Sequence, residues 1–330
     1  MGLGIVGQEQ AVERFRRTLM RDRLASTYLF VGPGGVGKRT FARRLAQALF
    51  CQQSKPVDLA PCGTCEACLL CQAGNHPDLL EVARRADRTQ LVLDQFVGSA
   101  ENRHREGLCH DLSLKPMIGS RRIAIIDDAD TFSSEVANAL LKTLEEPPPR
   151  SLLILIGTSL AKQLPTIRSR AQVMPFAPLA EETIAKWLIE WDWVTDEAEA
   201  RRIAAASQGS LDRAKTLLHP ELWQAREEVV RSLARAIPDG VAIAEGIHRF
   251  VQESSKEAGP KREAALAALG LVVDHFRTLL ANQPDSPQAE AWMASIERSM
   301  EAEFHVSRHV NLPNILQSWG DDLVQLKRGG

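Results

Sequence analysis

Residues 27–39 read Thr27-Tyr28-Leu29-Phe30-Val31-Gly32-Pro33-Gly34-Gly35-Val36-Gly37-Lys38-Arg39. The first five residues are mostly apolar and read as a buried parallel strand. The glycines form a loop, and Phe41, Ala42, Leu45, Ala46, Ala48, Leu49 and Phe50 then give a helix packed on a sheet. Strand, glycine loop and helix in that order are the setting of the phosphate-binding pattern G-x-x-x-x-G-K-[ST]. In that pattern the loop's backbone N–H groups point at phosphate oxygens. The lysine pairs with the terminal phosphates and the hydroxyl ligates Mg²⁺. Gly32, Gly34, Gly35, Val36, Gly37 and Lys38 supply the loop and the lysine. Arg39 holds the hydroxyl position, where a cation cannot ligate Mg²⁺ and repels it. Thr40 comes one residue late, and a step of one residue turns a helical side chain by about 100°.

Further along, Ile123-Ala124-Ile125-Ile126-Asp127-Asp128 reads as a second buried strand, 123–128, ending in carboxylates. Asp127 suits the strand-end position that holds Mg²⁺ in P-loop proteins. Asp128 stands where many such proteins carry a water-activating Glu, and it is one methylene shorter. A helix is expected from an N-cap at Ser133, with Val136, Leu140, Leu141 and Leu144 at helical spacing. Pro147-Pro148-Pro149 ends it. Leu152–Ile156 reads as a third strand, followed by Gly157 and Thr158. Alternating strands and helices predict an α/β domain with a parallel sheet, whose ligands sit at the carboxyl ends of the strands. From about residue 175 the pattern is helical throughout, with short helices expected over 179–190, 197–206 and 210–218 and a break at Pro220.

The bulk numbers are those of an ordinary globular chain: 330 residues, 44% hydrophobic and 25% charged. A net charge of −2 supplies no overall basic field for nucleic acid. No uninterrupted apolar run reaches 18 residues and the N-terminus lacks a signal layout, so no membrane association is expected and the location is read as cytoplasmic. The tryptophans at 187, 191, 193, 223, 292 and 319 all fall in the helical half and read as core or interface anchors. Residues 97–110 read as a polar surface loop. Arg84, Arg85 and Arg88 read as a solvated face.

Cys51, Cys62, Cys65, Cys68 and Cys71 crowd into one stretch, and Cys109 stands apart. Two thiolates in a C-x₂-C turn can reach one tetrahedral ion at about 2.3 Å, and four make a closed structural zinc site. Cys51, Cys62, Cys65 and Cys68 are the expected Zn²⁺ ligands. Cys71 is either a substitute ligand or a buried thiol. A redox C-x-x-C pair is the competing reading.

The string Asn138-Ala139-Leu140-Leu141-Lys142-Thr143-Leu144-Glu145-Glu146-Pro147-Pro148 resembles the bacterial replicative clamp-loader ATPases of the AAA+ class. Ile5-Val6-Gly7-Gln8 is similar to that family's adenine-contacting segment. The cysteine stretch ending in His76-Pro77-Asp78 is similar to its zinc module. Leu164-Pro165-Thr166-Ile167-Arg168-Ser169-Arg170 resembles its Ser-Arg-Cys motif, with Ala171 in place of Cys. The resemblance implies an α/β P-loop AAA+ core over 1–174 with a zinc module at about 51–78. An all-α lid over 175–219 and an all-α collar over 220–330 would follow. It makes Arg170 an arginine finger reaching a neighbouring subunit's ATP, and Thr158 the sensor 1 position. In Gly209-Ser210-Leu211-Asp212-Arg213, which resembles the sensor 2 region, Asp212 displaces the motor subunits' Arg. Arg213 comes one residue late and reads as a helix-surface charge.

Two branches of the family compete, the ATP-hydrolysing gamma/tau motor and the largely non-hydrolysing delta prime subunit. Arg39, Asp128, Asp212 and the chain length favour the second, and Asn311-Leu312-Pro313-Asn314-Ile315-Leu316 resembles the start of its last collar helix. The expected partners are the gamma/tau and delta subunits, with the sliding clamp and primer-template DNA reached through the assembly. Lys38 and the glycine loop can still hold ATP, while Arg39 puts Mg²⁺ and hydrolysis in doubt. A stand-alone zinc-bearing nucleic-acid binder is disfavoured, because the cysteine stretch lacks a dense basic and aromatic surround.

Overall fold

The computed structural model describes residues 3–85, 88–254, 258–308 and 310–329. The chain divides into two compact units, Met1–Thr183 and Ile184–Gly330.

The first unit is built on five strands: β1 Thr27–Val31, β2 Leu79–Val82, β3 Arg122–Ile126, β4 Ser151–Gly157 and β5 Gln172–Pro175. They form one sheet in the order β2-β3-β4-β1-β5, with every neighbouring pair parallel. Strands β1, β3 and β4 are buried along their whole length, as a sheet covered on both faces requires. The period of two divides their side chains. Tyr28, Phe30, Ile123, Ile125, Leu152 and Ile154 pack with Phe15, Phe41 and Leu45 on one face. Leu29, Val31, Ala124, Ile126, Leu153 and Leu155 pack with Val136, Leu140 and Phe96 on the other.

The helix expected from Ser133 runs Ser134–Glu145, and the Ser133 hydroxyl accepts from the Val136 N–H at 3.2 Å. The strand expected over 123–128 is Arg122–Ile126, so Asp127 and Asp128 lie beyond its end. Asp128 adopts φ 55°, which breaks the extended backbone. Strands β2 and β5 had no sequence signal: each has four residues, lies at a sheet edge and is only partly buried. The segment 97–110 is also more structured than a polar loop. Val97, Leu108 and Leu112 are buried, and the flanking helices are Asp94–Val97 and Leu108–Ser113.

In the second unit the short helices are Glu181–Glu190 (begun just before the division), Glu197–Ala206 and Leu211–Thr216. Longer ones follow at Pro220–Ala234, Gly240–Ser254, Ala258–Asn282, Ala289–Ser307 and Leu312–Gly329. Trp319 is fully buried and donates its indole N–H to Ser299 Oγ at 2.9 Å, so it anchors this core. Trp191 is exposed and stacks on Trp187 at 5.3 Å between ring centroids. The segment Gly259–Asn282 is long and apolar enough to cross a membrane by length and composition alone, a test that a buried core helix also passes. Half of it is buried, and Ala265, Leu269, Val272 and Val273 belong to the helical core.

Candidate functional site

The glycine loop leaves β1 and enters the helix Lys38–Phe50 through Gly37, which is left-handed at φ 89°. Gly35 is also left-handed, at φ 68°. A Cβ on Gly32 would stand 2.3 Å from the Phe176 carbonyl oxygen, so no side chain fits there without moving backbone. Gln8 is buried and ties the loop to the segment after β5. Its amide donates to the carbonyls of Val36 at 3.2 Å and Ala177 at 2.8 Å. Lys38 is buried and its ammonium donates to the loop's own carbonyls, Gly32 at 2.6 Å and Pro33.

The carboxylates meet this loop through arginines. Arg39 Nη1 lies 3.8 Å from Asp127 Oδ2 and Arg39 Nη2 lies 3.2 Å from Glu81 Oε2. Arg43 grips the same Glu81 with Nε at 2.6 Å and Nη2 at 2.5 Å. Arg84 Nε lies 3.8 Å from Asp128 Oδ2. Burial raises the Asp127 pKa, against the Asp128 N–H and the Arg39 and Lys38 charges. Burial also opposes ionisation of Glu81, but its hydrogen bonds to Arg43 and Arg39 hold it below the usual range. A dication about 4 Å from a guanidinium is repelled by about 8 kcal/mol at an effective dielectric of about 20. Arg39 is 46% exposed and can swing into water, so the effective penalty is smaller. Even so, the residues at the metal position do not fit Mg²⁺: the hydroxyl is gone and its carboxylate partner already faces a cation. Thr40 is exposed.

Sequence reasoning found Lys38, Arg39 and Asp127 but missed Glu81, Arg43 and the arginine facing Asp128. Arg84, read as a solvated face, is instead paired in the site. The parallel pairing of β2 with β3 brings Glu81 and Arg84 there, and β2 itself had no sequence signal.

Thr158 stands just past β4, where its N–H and hydroxyl both donate to Asp130 Oδ2 at 2.6 Å. Arg170 follows the short helix Pro165–Arg168. Its Nη2 donates to Glu145 Oε1 at 2.6 Å, and its Nη1 donates to the Thr166 carbonyl at 3.1 Å and Ser169 Oγ at 3.0 Å. The guanidinium is thus oriented by the end of the helix Ser134–Glu145, and about a third of the side chain is exposed. In the second unit Arg213 is no simple surface charge. It pairs with Asp274 at 2.7 Å, and Gln208 donates to the same carboxylate at 2.5 Å. Asp212 is exposed.

The thiols of Cys51, Cys62, Cys65 and Cys68 all lie within 4.8 Å of one another, and Cys62 Sγ is 3.9 Å from Cys68 Sγ. A tetrahedral ion with sulfurs at about 2.3 Å sets them about 3.8 Å apart, so the four suit one metal ion. Cys65 caps the helix Glu66–Gln72, and Cys68 lies one turn further on the same face. Backbone N–H groups aim at two of the sulfurs: Cys62 N–H at Cys51 Sγ (3.4 Å) and Cys65 N–H at Cys62 Sγ (3.3 Å). Burial opposes the Cys51 thiolate, yet the Cys62 N–H and contacts from Ser54 and Gln53 bring it down to about 5. Burial pushes Cys68 up to about 12. A bound cation removes that conflict by ionising all four. Cys71 stands outside the group, and burial pushes it up to about 12 as well. All the cysteines are free thiols, so no disulfide competes.

Asp78, at the end of the His76-Pro77-Asp78 string, is fully buried. It accepts from the N–H groups of Met117 (2.7 Å), Ile118 (2.8 Å) and Gly119 (2.7 Å) and lies 3.6 Å from Arg122. His76 stacks on Phe50 at 4.0 Å. This string joins the cysteine stretch to the sheet.

Comparison with known proteins matches residues 7–180 to the family described as DNA polymerase III, delta subunit. DNA polymerase III subunit delta' of Escherichia coli (strain K12) is 32% identical over 208 residues, 62% of this chain and 58% of that protein. The delta' subunit of Pseudomonas aeruginosa is 31% identical over 227 residues, 67% of this chain and 64% of that one. Subunit tau/gamma of Haemophilus influenzae is 33% identical over 211 residues, 63% of this chain and 29% of that protein. The chain thus spans about three fifths of the length of the delta' relatives it matches. The family match covers more than half of the chain, its parallel sheet carries the glycine loop where that match lies, and the chain belongs to the DNA polymerase III delta subunit family as a delta prime-like member.

Proposed function

We propose that this chain is a component of a bacterial replicative clamp loader that does not hydrolyse ATP at its own P-loop and donates Arg170 to a neighbouring subunit's ATP. The observation that carries the reading is the Arg39–Asp127 ion pair at the place where a motor subunit holds Mg²⁺. Asp128, the shortened water-activating position, faces Arg84. Arg170 is exposed in part and pre-oriented by Glu145, as a residue acting in trans needs to be.

The division expected from the resemblance fits this role: an AAA+ core over 1–174, a lid over 175–219 and a collar over 220–330. Gamma/tau and delta subunits are the partners, with the sliding clamp and primer-template DNA reached through the assembled ring in the cytoplasm. Cys51, Cys62, Cys65 and Cys68 hold one structural Zn²⁺, whose role is to close the 51–72 segment on itself; four thiols leave it no open position for chemistry. Any DNA polymerase III activity belongs to the holoenzyme of which this chain is a part.

Two measurements test the reading. The purified chain with Mg²⁺ and ATP should release no phosphate above background; turnover lost on Lys38→Ala would make it a motor. In the reconstituted ring, Arg170→Ala should lower DNA-dependent ATPase and clamp loading while assembly is unchanged. Trans arginines contribute about 10³–10⁵ to one site's rate. The ring's total rate should fall only by the share of that one site and of steps coupled to it. Unchanged loading would refute the finger assignment.

A further inference from the structure

The two arginines at the start of β3 are used differently. Arg122 spends its guanidinium inside the protein, on the carbonyls of Asp111 (2.7 Å) and Lys115 (3.3 Å) and beside Asp78. The Arg121 guanidinium has no hydrogen-bond or ion-pair partner among the described residues, although its Nε is buried. Burial lowers its pKa, and the Asp22 charge opposes this only from beyond ion-pair distance. A buried charged donor without an acceptor is costly, and native proteins seldom keep one without an ion, a water or a function to explain it. Arg121 lines a cavity of about 650 Å³ together with Arg150, Ser26 and Ser120. Their side chains too have no hydrogen-bond or ion-pair partner among the described residues. No carboxylate is among the described residues that line the cavity. Its opposite wall is Leu24 and the three prolines 147–149. That wall is fixed, because the Ser151 N–H and hydroxyl both donate to the Pro148 carbonyl, at 3.1 and 2.6 Å.

We propose that this cavity binds the phosphate group of a small molecule, with Arg121 and Arg150 as the charged ligands and Ser26 and Ser120 as hydroxyl donors. Ser26 precedes β1, Arg121 precedes β3 and Arg150 precedes β4, so the cavity lies at the amino ends of the strands. The glycine loop leaves the other end of β1, five residues or about 16 Å away. The site is therefore separate from the P-loop, and the proposal does not depend on the reading of that loop. A guanidinium offers five N–H donors in a planar fork that suits carboxylate or phosphate. Two such forks and two hydroxyls outnumber what one carboxylate accepts. A phosphate monoester has three acceptor oxygens and a charge of about −1.5 to −2, which balances two arginines. The volume is within the range of about 300–1,000 Å³ usual for small-molecule sites, and the proline wall gives the rest of such a ligand an apolar surface.

Calorimetric titration of the full chain with pyrophosphate tests this, in a Lys38→Ala background so that the P-loop does not contribute. Saturable binding of one equivalent is expected. Adding Arg121→Gln should weaken it by at least about tenfold, the worth of one charge-assisted contact, and Arg150→Gln should weaken it in the same direction. Arg201→Gln, an exposed arginine paired with Glu197 on a helix of the second unit, should leave it unchanged. Acetate should not compete. Urea unfolding supplies a readout that a merely structural arginine would fail. Without ligand, Arg121→Gln should unfold at the same or a higher urea concentration than its parent, because no protein acceptor is lost. Pyrophosphate should raise the midpoint only where Arg121 is present. Absence of binding, binding indifferent to Arg121→Gln, acetate competing as well as pyrophosphate, or a destabilised unliganded variant would each overturn the proposal. None of these results bears on the ring-component reading, which phosphate release and Arg170→Ala address.

Discussion

Replacing Asp78 with Asn should strongly destabilise the first unit. The carboxylate is fully buried, and its oxygens accept three backbone N–H groups at 2.7, 2.8 and 2.7 Å. Oδ2 takes two of them, from Ile118 and Gly119, and Oδ1 takes the third, from Met117. An Asn can place its oxygen at the Oδ2 position and keep two bonds, each reduced from charge-assisted to neutral by about 1 kcal/mol. Its NH₂ group then faces the Met117 N–H, donor against donor. That leaves a buried donor unsatisfied, at about 1–3 kcal/mol. Arg122, with 7% of its side chain exposed, also loses its nearest anion. Breaking a buried pair from one side typically costs about 3–5 kcal/mol, so the combined loss should be about 4 kcal/mol rather than the sum. A typical domain has only about 5–15 kcal/mol in total, so the first unit would become marginal.

The assay must separate the two units. All six tryptophans lie at 187 or beyond, so indole fluorescence follows only the second unit. Hydrogen exchange at the amides of Met117, Ile118 and Gly119 follows the first, and a circular-dichroism transition in urea, which reports both units, isolates it where it departs from the fluorescence transition. The expected outcome is faster exchange at those amides with the fluorescence transition unmoved. A loss below about 1 kcal/mol, or a Trp transition that moves as much as the first unit's, would refute the reasoning. The pH dependence gives a second check. Burial raises the Asp78 pKa, but the three N–H groups and Arg122 outweigh it, so the folded pKa lies below the unfolded one. This stabilisation is fully present above the unfolded value, about 3.9, and is lost as pH falls through the folded value. The gap between wild type and variant should therefore narrow on acidification below about pH 4.

Removing the metal with a chelator should release one ion per chain and expose the thiols of Cys51, Cys62, Cys65 and Cys68 to a thiol reagent. Cys68→Ser should abolish that ion, whereas Cys71→Ser should retain it; loss of metal on Cys71→Ser would rewrite the ligand set. Gly32→Ala drives a Cβ to 2.3 Å from the Phe176 carbonyl and should cost several kcal/mol, at least about 2, in urea unfolding of the first unit. Neutral behaviour there would mean that the segment after β5 yields more easily than its packing with Phe30 and Phe41 implies. Glu145→Gln removes the carboxylate that orients Arg170, and should lower ring ATPase in the same direction as Arg170→Ala but less. An effect absent in Glu145→Gln but present in Arg170→Ala would show that the finger needs no such holder.

The sequence alone specified whatever depends on local backbone demands and short spacing. A glycine loop between an apolar strand and an amphipathic helix has few other uses. Ser133 at an N-cap and three prolines after Glu146 bound one helix with little ambiguity. The cluster of Cys51, Cys62, Cys65 and Cys68 was legible for the same reason, since C-x₂-C spacing fixes how thiols can converge. Tertiary structure decided what those residues face. Strand β2 has only four half-buried residues and no period to read, yet its parallel pairing with β3 brings Glu81 and Arg84 to the P-loop. Arg39 could be read as an intruder in a motif; that it pairs with both Asp127 and Glu81 follows from strands some 40 and 90 residues away. Arg213 likewise depends on Asp274, 61 residues later in the chain. Ion pairs between distant segments leave no mark in the local sequence, because the charges are common and only the fold selects which of them meet.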